Sequence, residues 1–335
     1  MTEKFTRRQA LPLIVGLPVA GYVALHGGTY INTEIQENLL EGPMPYTREI
    51  LTPGCITTGI SPPLDDIDTI EDPDLFNIVN LFPDWFDIWA NHENITKTLE
   101  HGHQLMLSIR TQNHEPARGY NLKNLLDDKM HIAQNAQALA KLNVPIYLRF
   151  NYEMNADWFE HGPKFNSPKD FVNSWNTFAD IVLTIAPNVK MVFCVNAGMP
   201  VERYAPDPQF VHYTAVDTYN KHPEIIVDPR IIHTDSSFSA LCGPTVRKLQ
   251  DTFTQTPIMI TEVGIEQGKE SLPWMLEAAQ TAASWEGISA FMPFAWNKYK
   301  FMSFDEANWL EVMSGDNLKG FGEYIRSEQA FATLH

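Results

Sequence analysis

Basic residues are scarce in this sequence. Its 335 residues carry 24 Lys and Arg against 41 Asp and Glu, a formal charge of −17. Nucleic acid and anionic membrane are thereby excluded as main partners, because phosphate-binding surfaces need clustered Lys and Arg. The balance fits a soluble enzyme acting on a neutral or cationic substrate. Cysteine is scarcer still: Cys55, Cys194 and Cys242 are too few for a disulfide scaffold and show no CxxC spacing. Cys194 lies inside the apolar run "KMVFCVN" and reads as a buried thiol. No metal site is expected, since His101 and His103 in "HGH" do not converge as zinc ligands must. Past the N-terminal segment, no stretch is long and apolar enough to span a bilayer. Internal repeats and low-complexity linkers are missing too.

The N-terminal segment "TRRQALPLIVGLPVAGYVAL" has paired Arg7 and Arg8, then an uncharged stretch from Gln9 to Leu25. That order matches a charged n-region and an apolar h-region, and the twin arginines point to the twin-arginine export route. The other reading is an uncleaved anchor helix, because no A-x-A site follows. Residues 1–28 are therefore assigned to an export signal or anchor and residues 45–335 to a single catalytic domain. The "NIT" sequon at Asn94 is taken as coincidence.

Within that domain short apolar runs recur: "CITTGI" (55–60), "IVNLF" (78–82), "QLMLSI" (104–109), "PIYLRF" (145–150), "KMVFCV" (190–195), "YTAVDTY" (213–219), "PIMITE" (257–262) and "SAFMPF" (289–294). Between most of them lie helical patterns. "HIAQNAQALAKLN" and "DFVNSWNTFADIVLTIA" repeat apolar residues every three or four positions, and "SLPWMLEAAQTAASW" does likewise. "SPKD" at Ser167 reads as an N-cap, with Pro first and Asp third in the helix. Eight strands alternating with helices predict an α/β fold, a (β/α)8 TIM barrel. The competing open doubly wound sheet lacks its fingerprint, for no G-x-G-x-x-G or G-x-x-x-x-G-K-[ST] follows the first strand.

In a barrel the C-terminal strand ends converge on one face, where chemistry is done. Here they carry polar residues. Strand four ends in Arg149, Asn151, Tyr152, Glu153 and Asn155, strand five in Asn196, and strand six in Asp217 and Tyr219. Strand seven ends in Thr261 and Glu262, strand eight in Trp296 and Asn297. Glu153 and Glu262 are thus expected to face each other across the mouth. Two opposed carboxyls are what glycoside hydrolysis needs, one protonated for the leaving oxygen and one ionised. Trp158, Phe159 and Trp296 supply flat rings that stack on sugars. The bland alternative is ion pairing, with Arg149 neutralising either carboxylate. Glu115, Glu266, Asp305 and Glu306 are weaker candidates.

These residues resemble a known group. "YLRFNYEMNADWF" is similar to the "R-x-x-H-E-M-N-G-x-W" signature of glycoside hydrolase family 26, the retaining β-mannanase family of clan A. "NVKMVFCVNAG" resembles its "NVxxVWxxN" strand five, "APDPQFVHYTAVDTYN" its "YPGDxYVDxVGxDxY" strand six, and "PIMITEVG" its "P-x-x-I-x-E-x-G" strand seven. The resemblance implies that Glu153 is the general acid/base and Glu262 the nucleophile. It implies that Tyr219 hydrogen-bonds the nucleophile and that Trp158 and Trp296 stack on sugar. Arg149, Tyr152, Asn155 and Asn196 complete the expected substrate-binding set. The implied activity is endo-β-1,4-mannanase on a polysaccharide or oligosaccharide, by a monomer without a cofactor. A β-glucanase or β-1,3-xylanase of the same family is the alternative. Two positions depart from the signature: Tyr152 stands where the family has His, and Ala156 where it has Gly. Tyr152 keeps a polar ring but loses a base that titrates near neutrality. A carbohydrate-binding barrel without turnover and an anchored structural protein are the readings from other classes.

Overall fold

The computed structural model describes residues 57–60, 77–220, 236–265 and 271–294. The leader, Cys55, Glu266, Trp296, Asn297, Asp305 and Glu306 lie outside the described residues.

Each apolar run forms a strand: β1 (Thr57–Ile60), β2 (Ile78–Leu81), β3 (Gln104–Ile109), β4 (Ile146–Phe150), β5 (Val189–Asn196), β6 (Tyr213–Asn220), β7 (Ile258–Ile265) and β8 (Ile288–Pro293). Every strand pairs in parallel with the next, and β8 pairs with β1, so the barrel is closed. Closure leaves β2 to β8 buried on both faces, which is why their runs are almost continuously apolar. Period-two alternation then sorts the side chains. Leu105, Leu107 and Ile109 on β3, Ile146, Leu148 and Phe150 on β4, and Met191, Phe193 and Val195 on β5 join the outer layer with the helices. Met106, Tyr147, Val192, Cys194, Ala215 and Met259 join the cluster that fills the barrel interior. Gly59 of β1 packs closely against that interior. A Cβ there would meet Met292 Cγ at 2.8 Å and the Ile78 carbonyl oxygen at 2.9 Å.

The outer layer includes α1 (Glu93–Glu100), α2 (Lys129–Leu142), α3 (Pro168–Ile185), α4 (Phe238–Thr252) and α5 (Ser271–Ser284). Helix α3 shows why such segments fold as they do. Phe171, Trp175, Phe178 and Val182 recur at helical spacing and are buried. Phe178 stacks on Phe150 of β4 with ring centroids 3.7 Å apart, and burying such a ring is worth roughly 1.5–3 kcal/mol. The helix starts where its sequence says: Ser167 Oγ accepts from the Asp170 amide, while the Asp170 carboxylate accepts from the Ser167 amide. This seats α3 beside β4, the strand that leads to Glu153. Asn94 of the sequon is buried in α1.

One irregularity matters for function. Between β6 and β7, Val216 pairs with Ile260 but Asp217 pairs with Glu262, leaving Thr261 as an extra residue on β7. Ile258, Ile260, Val263 and Ile265 all belong to the outer layer. The bulge therefore resets the alternation, and both Thr261 and Glu262 reach the groups inside the barrel.

Candidate active site

The path into the site begins at the end of β4. Asn151 and Glu153 both have left-handed backbone, with φ of 48° and 53°. Asn tolerates this region, whereas for Glu it costs on the order of 1 kcal/mol and needs support from its surroundings. That support is visible. The Asn151 amide donates to the Ile109 carbonyl at 2.8 Å, and the Asn151 side-chain oxygen accepts from the Thr111 amide at 2.7 Å. The Glu153 amide donates across to the Cys194 carbonyl of β5 at 3.0 Å. Behind this turn His161 donates from Nε2 to the Tyr152 carbonyl at 2.9 Å, and burial holds its pKa down at about 3, which keeps the ring neutral. Gly162 follows because a Cβ would lie 2.4 Å from the Ala156 carbonyl oxygen. The loop after β4 is thus fixed from β3, from β5 and from within itself.

Glu153 is only 5% exposed. Its Oε2 accepts from Trp158 Nε1 at 2.7 Å and its Oε1 from Asn196 Nδ2 at 2.8 Å. Asn196 is itself held by Asn155: its amide donates to Asn155 Oδ1 at 2.8 Å, and Asn155 Nδ2 donates to its carbonyl at 2.9 Å. Asn155, expected to bind substrate, is placed as a brace for Asn196.

Glu262 is 4% exposed and set in different company. Arg149 Nη2 donates to its Oε1 at 2.7 Å, and the Tyr219 hydroxyl donates to its Oε2. Arg149 also holds Asp217, with Nη2 3.0 Å from Oδ2. Asp217 in turn accepts from Thr261 Oγ1 at 2.6 Å and from the Cys194 thiol at 3.2 Å. Arg149 was expected among the substrate-binding groups, but none of its surface is exposed. The guanidinium instead lies behind Glu262, between two carboxylates and 4.6 Å from the centre of the Tyr152 ring. The ion pair anticipated for Arg149 is present, to Glu262 and not to Glu153.

Electrostatics act on both glutamates in the same direction. Burial, and then the charge of Glu262, push the Glu153 pKa up to about 7. Burial, and then the charge of Asp217, raise Glu262 likewise. Two such carboxyls share one proton more readily than they both ionise. Glu262 contacts a cation and a phenol, whereas Glu153 contacts only neutral N–H donors, a difference that favours placing the shared proton on Glu153. Burial opposes the charge on Arg149, but Asp217 leads the groups that outweigh it, and the guanidinium stays charged. Burial keeps the Cys194 thiol protonated.

Of the remaining expected residues, Tyr152 is buried with its ring edge-on to Phe82 and Phe159. Trp158 is half-buried beside Glu153. Trp296 lies outside the described residues. Glu115 is an exposed partner of Arg118, at 2.6 Å. Asp217 and Thr261 are the contributors that strand-end reading noted without assigning a task; their places on inward positions of β6 and β7 were the available signal. Among the described residues no group of three or more His, Cys, Asp or Glu could hold a metal ion.

Residues 108–230 match the sequence model of Glycosyl hydrolase family 26. No match was found among curated protein sequences. Among solved structures, the catalytic domain of the family 26 endo-β-1,4-mannanase of Bacillus sp. JAMB-750 superposes with a TM-score of 0.59 at 15% identity, covering 78% of this chain and 86% of that one. The family 26 β-mannanase of Bacteroides ovatus gives 0.53 at 13% identity, covering 79% and 89%. The modular endo-β-1,4-mannanase of Cellulomonas fimi gives 0.56 at 12%, covering 80% and 71%. At such identities these structures speak for the shared barrel. The sequence match runs from the end of β3 through β6 and includes the whole Glu153 loop, so on that segment the chain is similar to glycosyl hydrolase family 26, while Glu262 lies beyond it.

Proposed function

We propose that this chain is a retaining endo-β-1,4-mannanase that works by double displacement, with Glu262 as nucleophile and Glu153 as acid/base. The observation that carries the assignment is the unequal setting of the two carboxyls: Arg149 and Tyr219 on Glu262, Trp158 and Asn196 on Glu153. In the first step a Glu262 oxygen attacks the anomeric carbon as the glycosidic C–O bond breaks, and Glu153 gives its proton to the departing oxygen. In the second, Glu153 as carboxylate takes a proton from water, whose oxygen displaces Glu262 from the glycosyl ester. Retention calls for carboxyls about 5–5.5 Å apart. The paired arginines Arg7 and Arg8 support export of the enzyme, where polymeric substrate is met.

The test is reducing-sugar release by the chain without its leader from mannan, galactomannan, mixed-linkage β-glucan, β-1,3-xylan and xyloglucan, with Glu262→Ala as the blank. Release from the mannans alone is the expected result. Release from glucan or xylan alone would overturn mannanase specificity and point to Tyr152 as the place where selectivity changed. Binding without release would favour a carbohydrate-binding barrel.

A second expectation concerns Trp158. Its N–H stabilises the carboxylate form of Glu153, so Trp158→Phe raises the Glu153 pKa further. The basic limb of the pH–rate profile is expected to move to higher pH, while the acidic limb stays. A fixed basic limb would mean that Trp158 does not set the acid's proton affinity.

A further inference from the structure

Phe86 is one of two large hydrophobic residues exposed among the described residues, with 45% of its surface open. It lies flat against His114, ring centroids 4.1 Å apart and planes within 8°. Phe86 is on the loop after β2 and His114 on the loop after β3, so both stand on the barrel face that carries Glu153 and Glu262. We propose that this stacked pair is a second sugar-binding platform, taking a neutral pyranosyl unit of the glycan remote from the bond being cleaved. The proposal rests on the hydrolase reading above and extends it to a site outside the catalytic pair.

Three observations carry it. The pair is held in place from both sides. Trp85, next to Phe86, is buried against Trp89, Tyr120 and Phe150, and the Phe86 amide donates to Asp84 Oδ1 at 2.9 Å. Beside His114, the Asn113 amide donates to Glu160 Oε2 at 2.6 Å and Asn113 Nδ2 to the Gly119 carbonyl at 3.0 Å. A platform fixed before binding loses little side-chain freedom when it is covered.

The second observation is continuity with the site. Trp158, which donates to Glu153, meets Phe159 edge-on at 6.4 Å; Phe159 meets Tyr152 at 5.2 Å, and Tyr152 meets Phe82 at 6.1 Å. Phe82 begins the same loop that carries Phe86. Arg110 lies over the Phe159 ring at 5.3 Å, on the loop that carries His114. Ring contacts thus run from the acid/base through buried Tyr152 to Phe82, at the start of the loop that carries Phe86.

The third is size and chemistry. Because the rings lie face to face, the pair offers the outer face of Phe86, backed by His114, an area far smaller than the roughly 1,000 Å² a stable protein partner needs but matched to the C–H face of one pyranose. Those C–H bonds present slight positive charge to the negative ring face, while Arg110 and Glu160 offer polar atoms nearby.

The test is calorimetric titration of β-1,4-linked manno- and gluco-oligosaccharides of two to six units into the Glu262→Gln chain, alone and combined with Phe86→Ala, Phe86→Leu or His114→Ala. The expected result is tighter binding of long chains than of the disaccharide, with an increment of about tenfold, or 1.4 kcal/mol, lost in the Phe86 and His114 variants. Disaccharide affinity should hold in all of them. Phe86→Leu keeps apolar bulk without the flat face, so it decides the matter if the alanine variant unfolds. Unchanged long-chain affinity in the variants, or no length dependence in the parent, overturns the platform. Length-dependent binding that needs Phe86, in a chain whose unmutated form releases no reducing sugar, would keep the platform and overturn the hydrolase reading.

Discussion

Glu262→Ala is expected to abolish turnover and leave the barrel folded. The loss should be at least about a thousandfold in kcat, because the side chain removed would form the covalent intermediate. Folding survives because Arg149 is not left alone. Its guanidinium keeps Asp217, with Nη2 3.0 Å from Oδ2 and Nη1 3.4 Å from Oδ1. Removing Glu262 also removes one of two carboxylates pressing on each other in a buried space, since Asp217 is the charge that raises its pKa. The space left beside Arg149 and Tyr219 suits a small anion. Azide should therefore restore part of the turnover of an activated aryl glycoside, with inversion at the anomeric carbon, because azide attacks directly where Glu262 would have. The measurements are kcat/KM on a dinitrophenyl glycoside with and without azide, the anomeric configuration of the product, and thermal unfolding of both proteins. An unfolded variant would recast Glu262 as a structural ion-pair partner. A folded variant with near-normal activity would place the nucleophile elsewhere.

The strands were legible because a closed parallel barrel demands continuous apolar runs, and each run anticipated from residues 55–294 contains or overlaps a strand. Helix α3 was legible from its spacing and its Ser167–Asp170 cap. The short α1 carries few apolar residues, and Pro244 interrupts the pattern of α4, so neither stood out. The pairing of Arg149 was open in sequence, since a basic residue at a strand end serves either of two carboxylates. What settles it is the bulge on β7. Its trace is present in "IMITEVGI", where apolar residues step by two from Ile258 to Ile260, by three to Val263, and by two again to Ile265. That single broken step brings Thr261 to Asp217 and Glu262 to Arg149. The Phe86–His114 stack has no such trace. It joins loops after different strands, and only the folded chain brings them together.

Glu153→Ala is expected to divide substrates by leaving group. Those with poor leaving groups need its proton and should lose about a hundred- to ten-thousandfold. Activated aryl glycosides leave unaided, so their first step should proceed while the glycosyl ester waits for a base that is gone. Azide needs no base and should speed that second step, giving a glycosyl azide of retained configuration, the opposite outcome to Glu262→Ala. The pH profile provides an independent sign. Burial and the Glu262 charge raise the Glu153 pKa to about 7, so the acid is protonated below that pH and activity falls as pH rises through it. In Glu153→Ala that basic limb should vanish for activated substrates, while the acidic limb, which reports ionisation of Glu262, remains. The substitution keeps the backbone cost at φ 53° unchanged, because alanine and glutamate meet the same clash there. Trp158 is half-buried, so water entering the mouth can take the hydrogen bond it loses. Stability should therefore stay near that of the parent, and equal loss for every leaving group without azide rescue would remove Glu153 from the acid/base role.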